Sequence, residues 1–281
     1  MKFGVSLFPT HYSIGPAEAA KACEEAGFES IWFPEHTHIP TSTRFPMGDG
    51  TVPRDYRSTL DPFVALGAAA AVTSRIKLAT GILLVPQRDP IVTAKEVATL
   101  DHISGGRVIL GIGGGWNEPE MTNHGTDFAH RFKVTRERIE AMQAIWTQDE
   151  AEYHGETVDF GPIWSDPKPV QKPHPPIHIG GTGPTTLKRV VAYGDGWMPI
   201  AFTLSFDDLG ERIKELNAMA AAAGKPKPEV SVFGVPLDVD GIHTYEALGV
   251  NRAIWGLSTD GAGVALDQIE AYGKAIHAYG A

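Results

Sequence analysis

The chain has 281 residues, 42% hydrophobic and 21% charged, an ordinary globular composition that supports a sizeable core. Its formal net charge of −10 argues against a generic nucleic-acid surface, which needs clustered Lys and Arg. It leaves room for an anionic ligand held by local backbone amides.

The first apolar run, Phe3 to Phe8, reads as a strand. Gly15-Pro16 then opens a helix that Gly27 closes. Its Cys23 is the only cysteine, so no internal disulfide can form and a reducing compartment is the default. A buried apolar role suits this thiol better than a nucleophilic one. Phe28 to Phe33 reads as strand two and Ile76 to Val85 as strand three. Asp89-Pro90 starts a helix with Ile91, Ala94, Val97 and Ala98 at helical spacing, and Gly105-Gly106 ends it. Arg107 to Ile112 is strand four, and Arg131 to Gln148 is a long helix. Tyr153 to Phe160 alternates about a turn signal and predicts an inserted hairpin. Six prolines between Pro162 and Pro176 make the next connection extended. Ile177 to Ile179, Gly196 to Met198, Val230 to Val235 and Arg252 to Leu257 supply strands five to eight. Helices are expected over Thr185 to Tyr193, Phe206 to Ala223 and Val264 to Tyr279.

Eight β-then-α units without a composition break predict a closed α/β barrel, the (β/α)8 TIM barrel, with a small hairpin insertion. An open doubly wound sheet is the alternative. At about 150 residues per domain the length suggests two domains, but barrels of about 250 residues break that rule. One domain over residues 1–281 is expected. Met1 to Leu7 lacks a basic region followed by a long apolar one, and no stretch approaches 18 uninterrupted apolar residues. The expectation is a cytoplasmic protein without membrane or nucleic-acid partners.

In such barrels the chemistry sits at the C-terminal strand ends. There Glu35-His36 follows strand two. A His beside a carboxylate can donate a proton or stabilise charge on a reduced cofactor, or the pair can merely bond loop backbone. Gly81 inside strand three marks a bulge, a close ligand approach or barrel packing. Gly113-Gly114-Gly115-Trp116 ends strand four, where a planar ring could lie on bare backbone. No clean amphipathic helix follows, so this is not a dinucleotide fingerprint. Gly180-Gly181-Thr182-Gly183 runs from strand five into a helix and predicts a phosphate site, against the bland reading of a plain turn. His36-x-His38 could begin a metal site, but His178 is thin support for a third ligand, and no metal site is expected. No G-x-S-x-G elbow is present.

Taken in order, several segments resemble the luciferase-like monooxygenase superfamily. They are Phe3-Gly4-Val5, Ser30 to His36, Lys77 to Ile82, Pro90 to Lys95, Leu100 to Arg107, Gly111 to Trp116, Pro167 to Gln171 and Gly180 to Gly183. The resemblance runs from Lys2 to about Thr203. It implies a barrel that binds FMN or coenzyme F420, a deazaflavin. It implies a non-prolyl cis peptide at Gly81-Ile82 behind the ring, with Glu35 and Leu84 at the cofactor. It places His36 as catalytic proton donor, Gly114, Gly115 and Trp116 along the ring, and Gly180, Gly181, Thr182 and Gly183 at the tail phosphate. Trp32 is expected near the ring as well. The acid-plus-His pair and Gly115 to Glu120 look closest to the F420-dependent branch. The implied activity is hydride transfer between F420 and a small organic substrate, in a homodimer. Sugar-phosphate dehydrogenase members carry a catalytic Glu after the strand-four glycines. This chain has Trp116 there, which leaves Glu118 or Glu120 as substitutes. The alternatives are an FMN-dependent monooxygenase, since deazaflavin reacts poorly with oxygen, a metal-dependent barrel hydrolase using His36 and His38, and a non-catalytic homologue. The loop Thr41 to Tyr56 is expected to cover the pocket and set specificity.

Overall fold

A computed structural model describes residues 1–280. The first half runs β1 (Lys2–Ser6), α1 (Pro16–Glu25), β2 (Ser30–Phe33), α2 (Arg54–Ser58), α3 (Pro62–Val72), β3 (Lys77–Thr80), α4 (Pro90–Ser104), β4 (Val108–Ile112), α5 (Glu118–Asn123) and α6 (Arg131–Thr147). It continues with β5 (Ala151–His154), β6 (Asp159–Ile163), β7 (Ile177–Gly180), α7 (Thr186–Tyr193), β8 (Gly196–Met198), α8 (Phe206–Ala222), β9 (Glu229–Phe233), α9 (Val239–Ala247), β10 (Arg252–Gly256) and α10 (Ala262–Gly280). Eight parallel strands close in the order β1-β10-β9-β8-β7-β4-β3-β2, and β5 and β6 form a separate antiparallel hairpin. This is the TIM barrel with its hairpin insertion. No described helix is long and apolar enough to cross a membrane.

Five elements differ from the sequence reading, among them the short helices α2 and α5, which it did not contain. Strand three stops at Thr80 rather than Val85; Leu83 rejoins the sheet only as a bridge to Ile112, and Val85–Gln87 is a 3-10 turn. The unanticipated α3 opens as α4 does: Asp61 accepts from the Val64 N–H at 3.0 Å, and Asp89 from Val92 at 2.9 Å. Apolar residues surround α3 on most sides, so no stripe marks it. The short α9, capped by Asp238, fills the last β-to-β crossover.

Two apolar clusters build the core. The larger lies between strands and helices. Cys23 belongs to it, and burial pushes its thiol pKa up. The smaller fills the barrel with Trp32, Ala79, Ile109, Met198 and Ile254, against Ile82 and Phe233. Beneath this plug, at the N-terminal strand ends, lies an ion network. Arg252, only 1% exposed, donates to both Glu29 oxygens at 2.8 and 2.9 Å, to Glu229 at 3.0 Å and to Ser231 at 2.8 Å. His178 faces the same network, 3.4 Å from Ser231 Oγ and 3.4 Å from Glu229.

Burial, then the Arg252 charge, pushes the His178 pKa down to about 4. Burial raises Glu229, but Arg252 and Lys2 outweigh it and hold its pKa near 2. From pH 6.5 down to about 4, the unfolded chain therefore takes up a proton that folded His178 refuses. Stability should fall across that window by about 2–3 kcal/mol from this residue. The Glu229 contribution is lost lower, below the ordinary carboxylate range. Urea midpoints at pH 7 and pH 4.5 test the sign: His178→Gln should show the smaller drop. Equal drops in both proteins would mean that His178 titrates like an exposed imidazole.

Candidate active site

A cavity of about 580 Å³ opens at the C-terminal strand ends, directly above the plug. Nearly every barrel strand contributes to its wall: Ser6 ends β1 and Phe8 follows it, Pro34 to His36 follow β2, and Gly81, Ile82 and Leu84 follow β3. Gly113 to Trp116 follow β4, Gly180, Gly181 and Gly183 end β7, Met198 and Ile200 end β8, and Phe233 and Gly234 end β9. The structure thus brings together His36, Glu35, Gly81, Ile82, Leu84, Gly114, Gly115, Trp116, Gly180, Gly181 and Gly183. Thr182 lies outside this wall, and its carbonyl accepts instead from Arg212. Trp32 lies elsewhere too. Its inward position in β2 buries it in the plug against Phe233, at 5.4 Å between ring centroids. The Gly81–Ile82 peptide is cis.

The glycines let neighbouring side chains pack directly on the backbone after β4. A Cβ on Gly113 would collide with Ile82, and one on Gly114 would stand 2.5 Å from the Phe132 ring. A larger residue there would have to displace Ile82 or Phe132.

His36 is held in a defined orientation. Its Nδ1 lies 2.8 Å from Glu120 Oε2. Glu120 is fully buried, and also accepts from Asn117 Nδ2 at 3.3 Å and from the Thr37 N–H at 3.3 Å. An Nδ1–H donated to this carboxylate leaves Nε2 without a protein partner among the described residues. Short helix α5 positions Glu120. Glu118, the other candidate, is exposed. His36 also packs against Tyr56 at 5.1 Å and Trp116 at 5.9 Å between ring centroids.

Glu35 has a different environment. It accepts from the Leu84 N–H at 2.7 Å and pairs with Arg88, which also donates to Glu96 at 2.6 Å. Burial pushes the Glu35 carboxyl above its ordinary range, against the pull of Arg88. Its oxygens are committed to fixing the chain after β3.

The β7 side carries a glycine turn with two arginines beside it. Gly181 has φ +109°, a conformation that only glycine adopts readily. The turn leads into α7, whose Arg189 donates to Thr185 at 2.6 Å and Thr186 at 3.0 Å and stacks on Phe132 at 3.9 Å. Arg131 stacks on the same ring at 4.4 Å. Neither guanidinium pairs with a carboxylate among the described residues. Burial lowers both pKa values.

Among the described residues no group of three or more His, Cys, Asp or Glu is placed to hold a metal ion. His38 is bonded to Thr37 and Asn123, both at 2.9 Å. A wider hollow of about 690 Å³ lies beside α2, but its Tyr12, Asp55 and Thr259 are already bonded to one another.

Comparison with known proteins agrees with this architecture. The luciferase-like monooxygenase family model matches residues 1–256. An uncharacterised Mycobacterium tuberculosis protein is 42% identical over 280 residues, covering 96% of this chain and 98% of that one. The FMNH2-dependent dimethylsulfone monooxygenase of Pseudomonas putida is 28% identical over 79% of this chain and 58% of its own length. The coenzyme F420-dependent tetrahydromethanopterin reductase of Methanopyrus kandleri shares the fold, with TM-score 0.77 at 20% identity over 99% of each chain. By its matched length and its 42% identical relative, the chain belongs to the luciferase-like monooxygenase family, a family of oxidoreductases and monooxygenases.

Proposed function

We propose that this chain is an F420-dependent oxidoreductase acting on a small organic substrate. The observation that carries this reading is the shape of one cavity. At one side His36 is oriented by buried Glu120; at the other a glycine turn and an uncompensated Arg189 await an anion. Between them lies the glycine run Gly113 to Gly115, with Ile82 and Phe132 packed closely on its backbone. These residues fit a flat tricyclic ring with a phosphate-bearing tail. Gly181, Gly183, Thr186 and Arg189 would hold the tail. Gly114, Gly115 and Trp116 would lie along the ring, with Ile82 behind it. When bound, the deazaflavin would supply the carbon that gives or takes a hydride. The protein's part is to orient the substrate, exclude water, and move one proton through His36 Nε2 while Glu120 holds Nδ1–H. Glu35 and Arg88 would act through the chain they fix at Leu84.

FMN is the second reading, favoured by the FMNH2-dependent relative and by a tail phosphate common to both cofactors. Titration with each cofactor, read by tryptophan quenching, separates the two because Trp116 would lie against the ring. The expected result is tight F420 binding and weak FMN binding. The reverse would replace this proposal with a flavin-dependent monooxygenase. Absence of binding by both would remove it.

A further inference from the structure

Tyr56 stands beside His36 and belongs to no motif. It sits on α2, the end of the loop over the cavity. Four aromatic rings surround it: Phe8 at 4.8 Å, His36 at 5.1 Å, Phe45 at 5.2 Å and Trp116 at 6.1 Å between centroids. Phe45 in turn buttresses Trp116 at 5.4 Å. The Tyr56 ring lines the cavity, yet its hydroxyl makes no hydrogen bond to any described residue. The residue is half-buried, so this hydroxyl is free to meet a ligand in the cavity.

The placement is a built one. Asp55 accepts from Tyr12 at 2.6 Å and from Thr259 at 2.8 Å, which ties α2 to the ends of β1 and β10. On the other side the Leu60 N–H donates to the Pro9 carbonyl at 2.7 Å. Tyr56 is therefore latched from both directions. Burial, then the Asp55 charge, raises its pKa, so the hydroxyl remains a donor through neutral pH.

Two groups without a protein partner among the described residues, the Tyr56 O–H and His36 Nε2, are thus carried on rings 5.1 Å apart that line the same cavity. Around them the wall is apolar. The nearby carboxylates are already engaged, Glu35 by Arg88 and Glu120 by His36. The uncompensated cation of the cavity, Arg189, lies on the β7 side, separated from β2 by β3 and β4 around the barrel. A charged substrate would lose hydration here without gaining a counter-ion.

We propose that Tyr56 and His36 together bind one carbonyl or hydroxyl oxygen of a neutral substrate whose flat apolar body packs against Tyr56 and Trp116. This rests on the reading of His36 as the group at the reacting centre.

The test is calorimetric titration of the protein with acetophenone, with ethylbenzene as the same body lacking the oxygen, and with benzoate as the anion. Wild type should bind acetophenone more tightly than either. Tyr56→Phe keeps the ring packing and removes one hydrogen bond. It should weaken acetophenone about threefold to tenfold and leave ethylbenzene unchanged. Equal binding of ketone and hydrocarbon, a preference for benzoate, no binding of any of the three, or no effect of Tyr56→Phe would overturn the proposal. F420 titration of the same preparations separates the two readings. Ketone preference without F420 binding would remove the deazaflavin and keep the oxygen site. F420 binding without ketone preference would do the opposite.

Discussion

Arg252→Met should lower the unfolding free energy by about 3–5 kcal/mol, the range expected when one partner of a buried ion pair is removed. The guanidinium satisfies three groups at once: Glu29 through a bidentate pair, Glu229, and Ser231. Methionine fills much of the volume but neutralises nothing. Glu29 and Glu229 would then face each other at the barrel floor, with Lys2 as the remaining cation on Glu229. Urea denaturation at pH 7 measures the loss. Adding Glu29→Gln and Glu229→Gln to the variant should recover part of it, because those changes remove the stranded charges. A loss below about 1 kcal/mol would place the network in the class of solvent-screened surface pairs.

The largest expected effect on activity comes from His36→Ala. With cofactor binding retained, kcat should fall about 10²- to 10⁴-fold, the usual contribution of a positioned acid or base. Glu120→Gln should cost less, about tenfold to a hundredfold, and in kcat rather than KM. Glutamine can still meet the ring, but it no longer offers a carboxylate to an imidazole that gains charge during proton transfer. Glu118→Gln, on the exposed face of the same short helix, should do nothing measurable. Steady-state kinetics with any substrate the protein turns over, alongside cofactor titration of each variant, checks all three. An unchanged kcat in His36→Ala would move the proton to another group, with Tyr56 the first to examine.

The barrel was legible because its signals are local. Asp89-Pro90 and Gly105 bracket α4, the Tyr153 to Phe160 turn marks the hairpin, and short apolar runs mark seven strands closely. Strand three was overread because Leu83 to Val85 remain apolar after β3 has ended at Thr80. Helix α3 lacks a polar face, so periodicity passed over it although Asp61-Pro62 announced it. The cavity glycines could be singled out because strand ends and glycine runs are written consecutively. The partner of His36 could not: Glu120 lies 84 positions away, and only the β2, β4 arrangement brings them together. Tyr56 carried no signal beyond its place in a Pro- and Gly-rich loop. Some segments that carry the resemblance prove structural. Buried Arg107 donates to Ser104, Ala70, Thr73 and Ile76 carbonyls and so closes the end of α3. Asp101 accepts from the Gln171 backbone and side chain at 2.9 and 2.7 Å, tying the proline-rich segment to α4.

The apolar plug between floor and cavity has a consequence for how this barrel can change. The ion network below it and the His36, Tyr56 and glycine-turn groups above it share no residue. Substitutions at the rim can therefore retune what is bound without disturbing the charges that hold the strands at the base. A laboratory search for new substrates should accept variation at Phe45, Tyr56 and Trp116 at little cost in folding. The same freedom at Arg252 or Glu29 would be withheld, so the two ends of one barrel should drift at very different rates.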